Sequence, residues 1–165
     1  NVTGDWYPWC CHEYPKWSPD GNQIVFQGTG WDYAGGDGYD GIWRINANGT
    51  GGSIVVSGGH ANHPDWSPNG DRIAFSMMID GGGAVEKYHI HTINPDGTNL
   101  TLLTRGQFPS WSPDGSRIVF ARNRSGWPCC TSAYDIFVID ADGSNLTQIT
   151  NYPDGAIDWF PDWSP

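Results

Sequence analysis

Pro109-Ser110-Trp111-Ser112-Pro113-Asp114-Gly115 runs straight into Ser116-Arg117-Ile118-Val119-Phe120, and this stretch decides the fold. Asp-Gly flanked by apolar runs is a strong short-range signal for a β-hairpin, because Gly supplies the positive φ that a tight turn needs. The stretch recurs. Pro15-Lys16-Trp17-Ser18-Pro19-Asp20-Gly21 precedes Gln23-Ile24-Val25-Phe26, and Pro64-Asp65-Trp66-Ser67-Pro68-Asn69-Gly70 precedes Arg72-Ile73-Ala74-Phe75. A fourth copy opens at Pro161-Asp162-Trp163-Ser164-Pro165, and the four Trp residues lie 49, 45 and 52 positions apart.

Each period continues alike. After a variable loop, a third apolar run (Ile42 to Ile45, Ile90 to Ile93, Ile136 to Ile139) leads into a second tight turn at Asn48-Gly49, Asp96-Gly97 or Asp142-Gly143. A fourth run closes the unit at Ser53 to Val56, Asn99 to Leu103 and Asn145 to Ile149. Four short antiparallel strands every ~45 residues form the repeat of a propeller blade. The chain therefore reads as all-β: β-propeller blades of four antiparallel strands, three full blades plus partial blade strands at both ends. Residues 1–13 end a preceding blade and connect it, 14–57 form blade 1, 58–105 blade 2, 106–150 blade 3, and 151–165 the first strand of a further blade.

These motifs carry a resemblance. Pro-x-Trp-Ser-Pro-Asp-Gly, then Ile-Val-Phe, then Asp135 to Thr150 (Asp-Ile-Phe-Val-Ile-Asp-Ala-Asp-Gly-Ser-Asn-Leu-Thr-Gln-Ile-Thr) resembles the TolB-type β-propeller repeat over residues 14–165. The resemblance implies a binding or gating module of the kind found in periplasmic translocation proteins, bacterial surface proteins and the propellers of some oligopeptidases.

Composition agrees with this class. The 165 residues include 23 Gly, 12 Pro and 10 Trp, with only 16% charged side chains, which suits turns and aromatic anchors better than helices. Eight basic against 18 acidic residues give a net charge of −10, which disfavours nucleic acid and anionic lipid, and no apolar run is long enough for a membrane helix. One core of ordinary domain size fits this length.

Three blades do not close a ring. Asn1-Val2-Thr3 resembles Asn145-Leu146-Thr147, and Tyr14 to Pro19 resembles Phe160 to Pro165, so the pattern is entered and left midway. Either a longer propeller continues it or separate copies complete one another; a head-to-tail contact that does not close builds a fibre.

In such a blade the tight turns share one face and the 2–3 and 4–1 loops share the other. The loop face is where a rigid scaffold carries variable binding segments. Trp6, Trp9, Trp31, Trp127 and Trp159 fall on or near it and are the candidate binding residues, for a protein partner or for glycan stacking, against the plainer reading that they pack the loops down. Trp17, Trp66, Trp111 and Trp163 repeat in register and are expected in the core.

Cys10-Cys11 and Cys129-Cys130 are two adjacent pairs whose spacing excludes a zinc knuckle. Oxidised cysteines are favoured, within a strained adjacent pair or between pairs of neighbouring copies, and point to an extracellular or periplasmic setting. Asp32, Asp37 and Asp40 suggest calcium without matching a known calcium-loop spacing, and nothing calls for another cofactor. His60 with His63, and His89 with His91, lack a third ligand, and His91 aligns with Trp43 and Phe137 as a packed blade residue. Sequons at Asn1, Asn48, Asn99, Asn123 and Asn145 make the chain a candidate glycoprotein. No nucleophile elbow or phosphate loop occurs, and with Glu only at positions 13 and 86 nothing selects a carboxylate pair. The expectation is a non-catalytic secreted scaffold for protein interaction or head-to-tail assembly, with a lectin-like propeller and the propeller of a larger oligopeptidase as alternatives.

Overall fold

The Trp-Ser-Pro-Asp-Gly repeat builds one local structure three times. Ser18, Ser67 and Ser112 are buried, and their hydroxyls accept the backbone N–H of Gln23, Arg72 and Arg117, each at 2.9 Å. The Gly that ends each motif donates its N–H to the carbonyl of the same Ser, with φ of +70° at Gly21, +76° at Gly70 and +70° at Gly115. A side-chain oxygen thus stands in for a backbone acceptor at the mouth of the hairpin, and Gly takes the left-handed position that a Cβ would strain. Asp20 and Asp114 extend the arrangement by accepting from Ser18 and Ser112 at 2.6 Å.

A computed structural model describes residues 11–29, 40–79, 88–123, 134–151 and 158–164, Cys11 and Thr29 by their backbone alone. Twelve strands are assigned among them: β1 (Cys11–Trp17), β2 (Gln23–Thr29), β3 (Gly41–Asn46), β4 (Ser53–Ser57), β5 (Asn62–Trp66), β6 (Ile73–Met78), β7 (Tyr88–Ile93), β8 (Thr101–Arg105), β9 (Gln107–Trp111), β10 (Arg117–Asn123), β11 (Tyr134–Asp140) and β12 (Thr147–Gln148). They form three antiparallel four-stranded sheets, β1-β2-β3-β4, β5-β6-β7-β8 and β9-β10-β11-β12, each an up-and-down meander. These are three propeller blades, and their first strands adjoin: β1 packs on β5 and β5 on β9, while β5 also packs on β2 and β9 on β6 of the blade before. No helix among the described residues is long and apolar enough to cross a membrane.

Strand alternation assigns each blade two working faces. Ile73, Phe75, Ile93 and Trp66 of blade 2 face back onto Val25, Ile42, Val55 and Val56 of blade 1. Ile118, Phe120, Ile139 and Trp111 of blade 3 face back onto Ala74 and Ile90 of blade 2. Phe75 and Phe120 are wholly buried, and each such side chain contributes roughly 1.5–3 kcal/mol. Packing between blades therefore carries the core, since a single sheet would leave these faces wet. His91 is 3% exposed and stacks on Phe75 at 5.7 Å, as Phe137 does on Phe120 at 5.9 Å, so it occupies an aromatic position of the blade.

The register-equivalent residues of blade 1, Ile24, Phe26 and Ile45, form a cluster of their own with Trp43 against it. Here one expectation needs correction. Trp66 and Trp111 are core, at 7% and 8% exposed, but Trp17 is 60% exposed and Trp163 only partly buried. For Trp17 the physical reason is positional. Each repeated Trp is covered by the blade before its own, and among the described residues blade 1 has no blade before it.

Candidate functional site

The residue preceding each repeated Pro is aromatic: Tyr14, His63, Phe108 and Phe160. All four lie in the left-handed region, at φ of 54°, 52°, 58° and 56°. An aromatic residue there is strained, and the following Pro already disfavours the right-handed helical alternative. For Tyr14, His63 and Phe108 the cause is a bulge. Pairing slips between Glu13 and Lys16 in β1, between Asn62 and Asp65 in β5, and between Gln107 and Ser110 in β9. The extra residue turns its ring out of the pleat, and because the first strands adjoin, the rings meet.

They form a continuous ladder. Ring centroids are 4.0 Å apart for Tyr14 and His63, 4.5 Å for His63 and Phe108, and 4.5 Å for Phe108 and Phe160. Trp159 joins at 6.4 Å from Phe108 and meets Tyr134 edge-on at 5.7 Å. Together with Lys16, Ser110 and Asp162, the four ladder residues line a cleft of about 220 Å³. Tyr14, Phe160 and Trp159 are 42%, 56% and 52% exposed, an aromatic patch of the kind that marks interaction sites.

Below the rings runs a polar chain made of the residue before each repeated Trp. Lys16 Nζ lies 3.6 Å from Asp65 Oδ1, the backbone N–H of Trp111 donates to Asp65 Oδ2 at 2.8 Å, and Ser110 Oγ donates to Asp162 Oδ1 at 3.0 Å. Burial pushes the Asp65 carboxyl up, against the lowering effect of the Trp111 N–H and Lys16; the charge of Asp162 adds to the rise. His63 Nδ1 donates to Asn62 Oδ1 at 2.8 Å, its Nε2 is buried without a partner among the described residues, and burial pulls its pKa down to about 4. At neutral pH it is an uncharged member of the ladder.

Two of the repeated indoles tie blade to blade. Trp66 Nε1 donates to the Lys16 carbonyl at 3.3 Å, and Trp163 Nε1 donates to the Ser110 carbonyl at 3.1 Å. Residues 158–164 therefore sit on blade 3 as the first strand of a following blade would, with Arg117 5.1 Å from the Trp163 ring.

Of the expected binding residues, Trp159 stands in this aromatic patch; Trp6, Trp9, Trp31 and Trp127 lie outside the described residues, as do Cys10, Cys129, Cys130 and the Cys11 side chain. Asp32 and Asp37 also lie outside, whereas Asp40 pairs with His60 at 3.0 Å. No cluster of three metal-ligating side chains occurs among the described residues. Asn48, Asn99 and Asn145 are exposed on the second turns, Asn123 is 1% exposed and so unreachable in the folded chain, and Asn1 lies outside. The aromatic ladder itself escaped the sequence reading, although an aromatic three residues before each repeated Trp was there to be read.

Comparison with known proteins places this architecture. The chain superimposes on a protein described as TolB from Agrobacterium tumefaciens with a TM-score of 0.65 at 21% identity, covering 92% of this chain and 65% of that one. TolB from Acinetobacter baumannii gives 0.64 at 18% identity, covering 86% and 32%. The β-propeller domain of the Trilobed protease from Pyrococcus furiosus, described as having an open velcro topology, gives 0.64 at 13%, covering 89% and 45%. The chain thus spans less than two thirds of each of these structures. No curated protein matches the sequence. The family model of the TolB beta propeller domain matches residues 9–165, and the chain belongs to that family.

Proposed function

We propose that this chain is a non-catalytic propeller scaffold, secreted or periplasmic, which works through protein contact and whose uncovered blade faces are completed by further blades or further copies in a head-to-tail assembly. One observation carries the reading. Trp17 is 60% exposed although its in-register counterparts Trp66 and Trp111 are 7% and 8% exposed beneath a preceding blade. A large apolar side chain bared on a face of otherwise repeated blade-to-blade contacts marks a surface built to be covered. Membership of the TolB propeller family favours binding over catalysis, and a periplasmic or secreted setting is what the resemblance to that family implies.

Sedimentation equilibrium on the purified chain across a wide concentration range tests the reading. Growth of the mass beyond one copy, or a longer natural chain supplying the missing blade, supports it. A chain that remains at 18.1 kDa throughout and is that size in its native source would overturn it.

Two other readings have specific support. The exposed Trp159 and Phe160 offer faces for sugar stacking, and a glycan array silent at high protein concentration removes that version. Likeness to protease propellers favours a gating domain of a larger hydrolase, and a full reading frame without a hydrolase domain removes that one.

A further inference from the structure

Two turns of the chain carry Asn directly before Gly, Asn48-Gly49 and Asn69-Gly70, and both Asn residues are exposed. In each case the in-register residues of the other blades are Asp. Asn48 stands where blades 2 and 3 have Asp96 and Asp142, and Asn69 stands where blades 1 and 3 have Asp20 and Asp114. Asn before Gly is prone to lose its amide, because Gly puts no side chain in the way of its own nitrogen attacking the Asn side-chain carbonyl. Access to that nitrogen does not separate the two turns. Gly49 N–H and Gly70 N–H each donate to a carbonyl three residues back, that of Asn46 and that of Ser67, both at 2.9 Å, so each turn has the same bond to open first.

The surroundings of the amide do separate them. Asn48 Oδ1 accepts from the Thr50 N–H at 3.0 Å and from the Thr50 hydroxyl at 2.7 Å, while Asn46 Nδ2 donates to that hydroxyl at 3.4 Å and so leaves its proton for Asn48. Asn69 Oδ1 accepts from the Asp71 N–H at a long 3.4 Å. The residue in the place of Thr50 is there a carboxylate, which takes the Ser67 hydroxyl at 3.1 Å and has no proton to give Asn69.

We propose that Asn48 is a self-deamidation site, at which blade 1 converts its second turn to the Asp form that the other two blades carry, with the two Thr50 donors acting as an oxyanion hole. The Gly49 nitrogen gives up its proton to water and bonds to the Asn48 side-chain carbonyl carbon, and negative charge gathers on Oδ1, where the Thr50 donors already lie. Collapse breaks the bond to Nδ2, which takes up a proton and leaves as ammonia, and a cyclic imide remains. Water opens the imide to Asp or to its β-linked isomer, so one water is consumed for each ammonia released. The Asp product has its seat prepared. Asp96 Oδ1 takes the Thr98 N–H at 2.9 Å and hydroxyl at 2.6 Å, and Asp142 Oδ1 takes the Ser144 N–H at 2.8 Å. The Thr98 and Ser144 hydroxyls, with those N–H groups, hold the two carboxyls below the ordinary 3.8. At Asn69 the Asp71 charge opposes both the developing oxyanion and a second carboxylate beside it.

The test is a time course on full-length chain made in a host that adds no N-glycan, held at mildly alkaline pH. Peptide mapping by mass spectrometry reads the unit mass gain at each Asn, and the same course in urea gives the unfolded reference. Folded chain should convert Asn48 about fivefold faster than Asn69 or more, the rate equivalent of one ordinary hydrogen bond, and the ratio should fall towards unity in urea. Thr50→Val, which deletes the hydroxyl and keeps the N–H, should slow Asn48 by a similar factor and leave Asn69 alone, and Asp71→Thr should speed Asn69. Equal rates in the folded wild type, a faster Asn69, or a Thr50→Val chain that converts Asn48 undiminished would each overturn the proposal. If a variant fails to fold, the wild-type ratio decides alone: the same ratio with and without urea refutes it.

Discussion

Trp66→Ala and Trp17→Ala are the same chemical change at the same position of two blades, and the structure predicts unequal costs. Trp66 is 7% exposed, packs among Val25, Ile73 and Phe75, and holds the Lys16 carbonyl through its indole N–H. Truncation of a buried Trp costs about 3–5 kcal/mol through lost transfer energy and the cavity left behind. At 60% exposed, Trp17 has a little under half the buried fraction of Trp66. Scaled in proportion, its truncation costs about 1–2 kcal/mol in the single chain. The assay is urea unfolding followed by circular dichroism at low micromolar protein, with ΔG taken by linear extrapolation. Repeating the titration at a hundredfold higher concentration adds the linkage term, because a partner that binds only the folded chain stabilises it. The Trp17→Ala deficit should then widen while the Trp66→Ala deficit shifts much less. Equal costs at the lowest concentration would refute the reasoning, since Trp17 would then be as well covered as Trp66 within one chain.

Three further outcomes follow from the same geometry. Gly41→Ala would drive a Cβ into the Val56 carbonyl, a backbone atom of the neighbouring strand, so urea unfolding should show a loss of about 1–3 kcal/mol, and a neutral result would contradict the β3–β4 register. His63 binds a proton near 6.5 when unfolded and only near 4 when folded, so its share of stability falls as pH drops from 6.5 towards 4. His63→Phe, which copies Phe108 and Phe160, should flatten the pH dependence of the melting temperature in that window, while His91, also lowered by burial, keeps its own part; an unchanged slope would count against it. Asp114 is held at about 2 by the Ser112 hydroxyl and then by the Ser116 N–H, below the ordinary 3.8, so its contribution is present above 3.8 and lost as pH falls towards 2. Asp114→Asn places there the residue that blade 2 carries at Asn69, and acid titration of stability should lose part of its fall between pH 4 and 2.

Blade architecture was legible because it is written three times in local chemistry. Ser, Pro and Gly at fixed offsets specify the turn, and Ile-x-Phe alternation specifies the two faces, each from residues close in sequence. Trp17 shows where that legibility stops: the same letter in the same register is core at Trp66 and surface at Trp17, because burial depends on which blade stands before it. The aromatic ladder is a second case. Tyr14, His63 and Phe108 differ in type, so they escape a search for identical residues, and what unites them is a bulge visible only once strand pairing is known; Phe160 shares their left-handed backbone. His63 was a plausible metal ligand by type, and among three other rings it is a half-buried neutral aromatic instead.

Hydroxyl-radical footprinting of the four repeated indoles at increasing protein concentration tests the central claim most directly. At high dilution Trp17 should oxidise fastest, with Trp163 intermediate and Trp66 and Trp111 protected. At concentrations where the mass grows, Trp17 should become as protected as Trp66. A Trp17 that stays reactive while the chain associates would contradict the account, because association would then be using some other face.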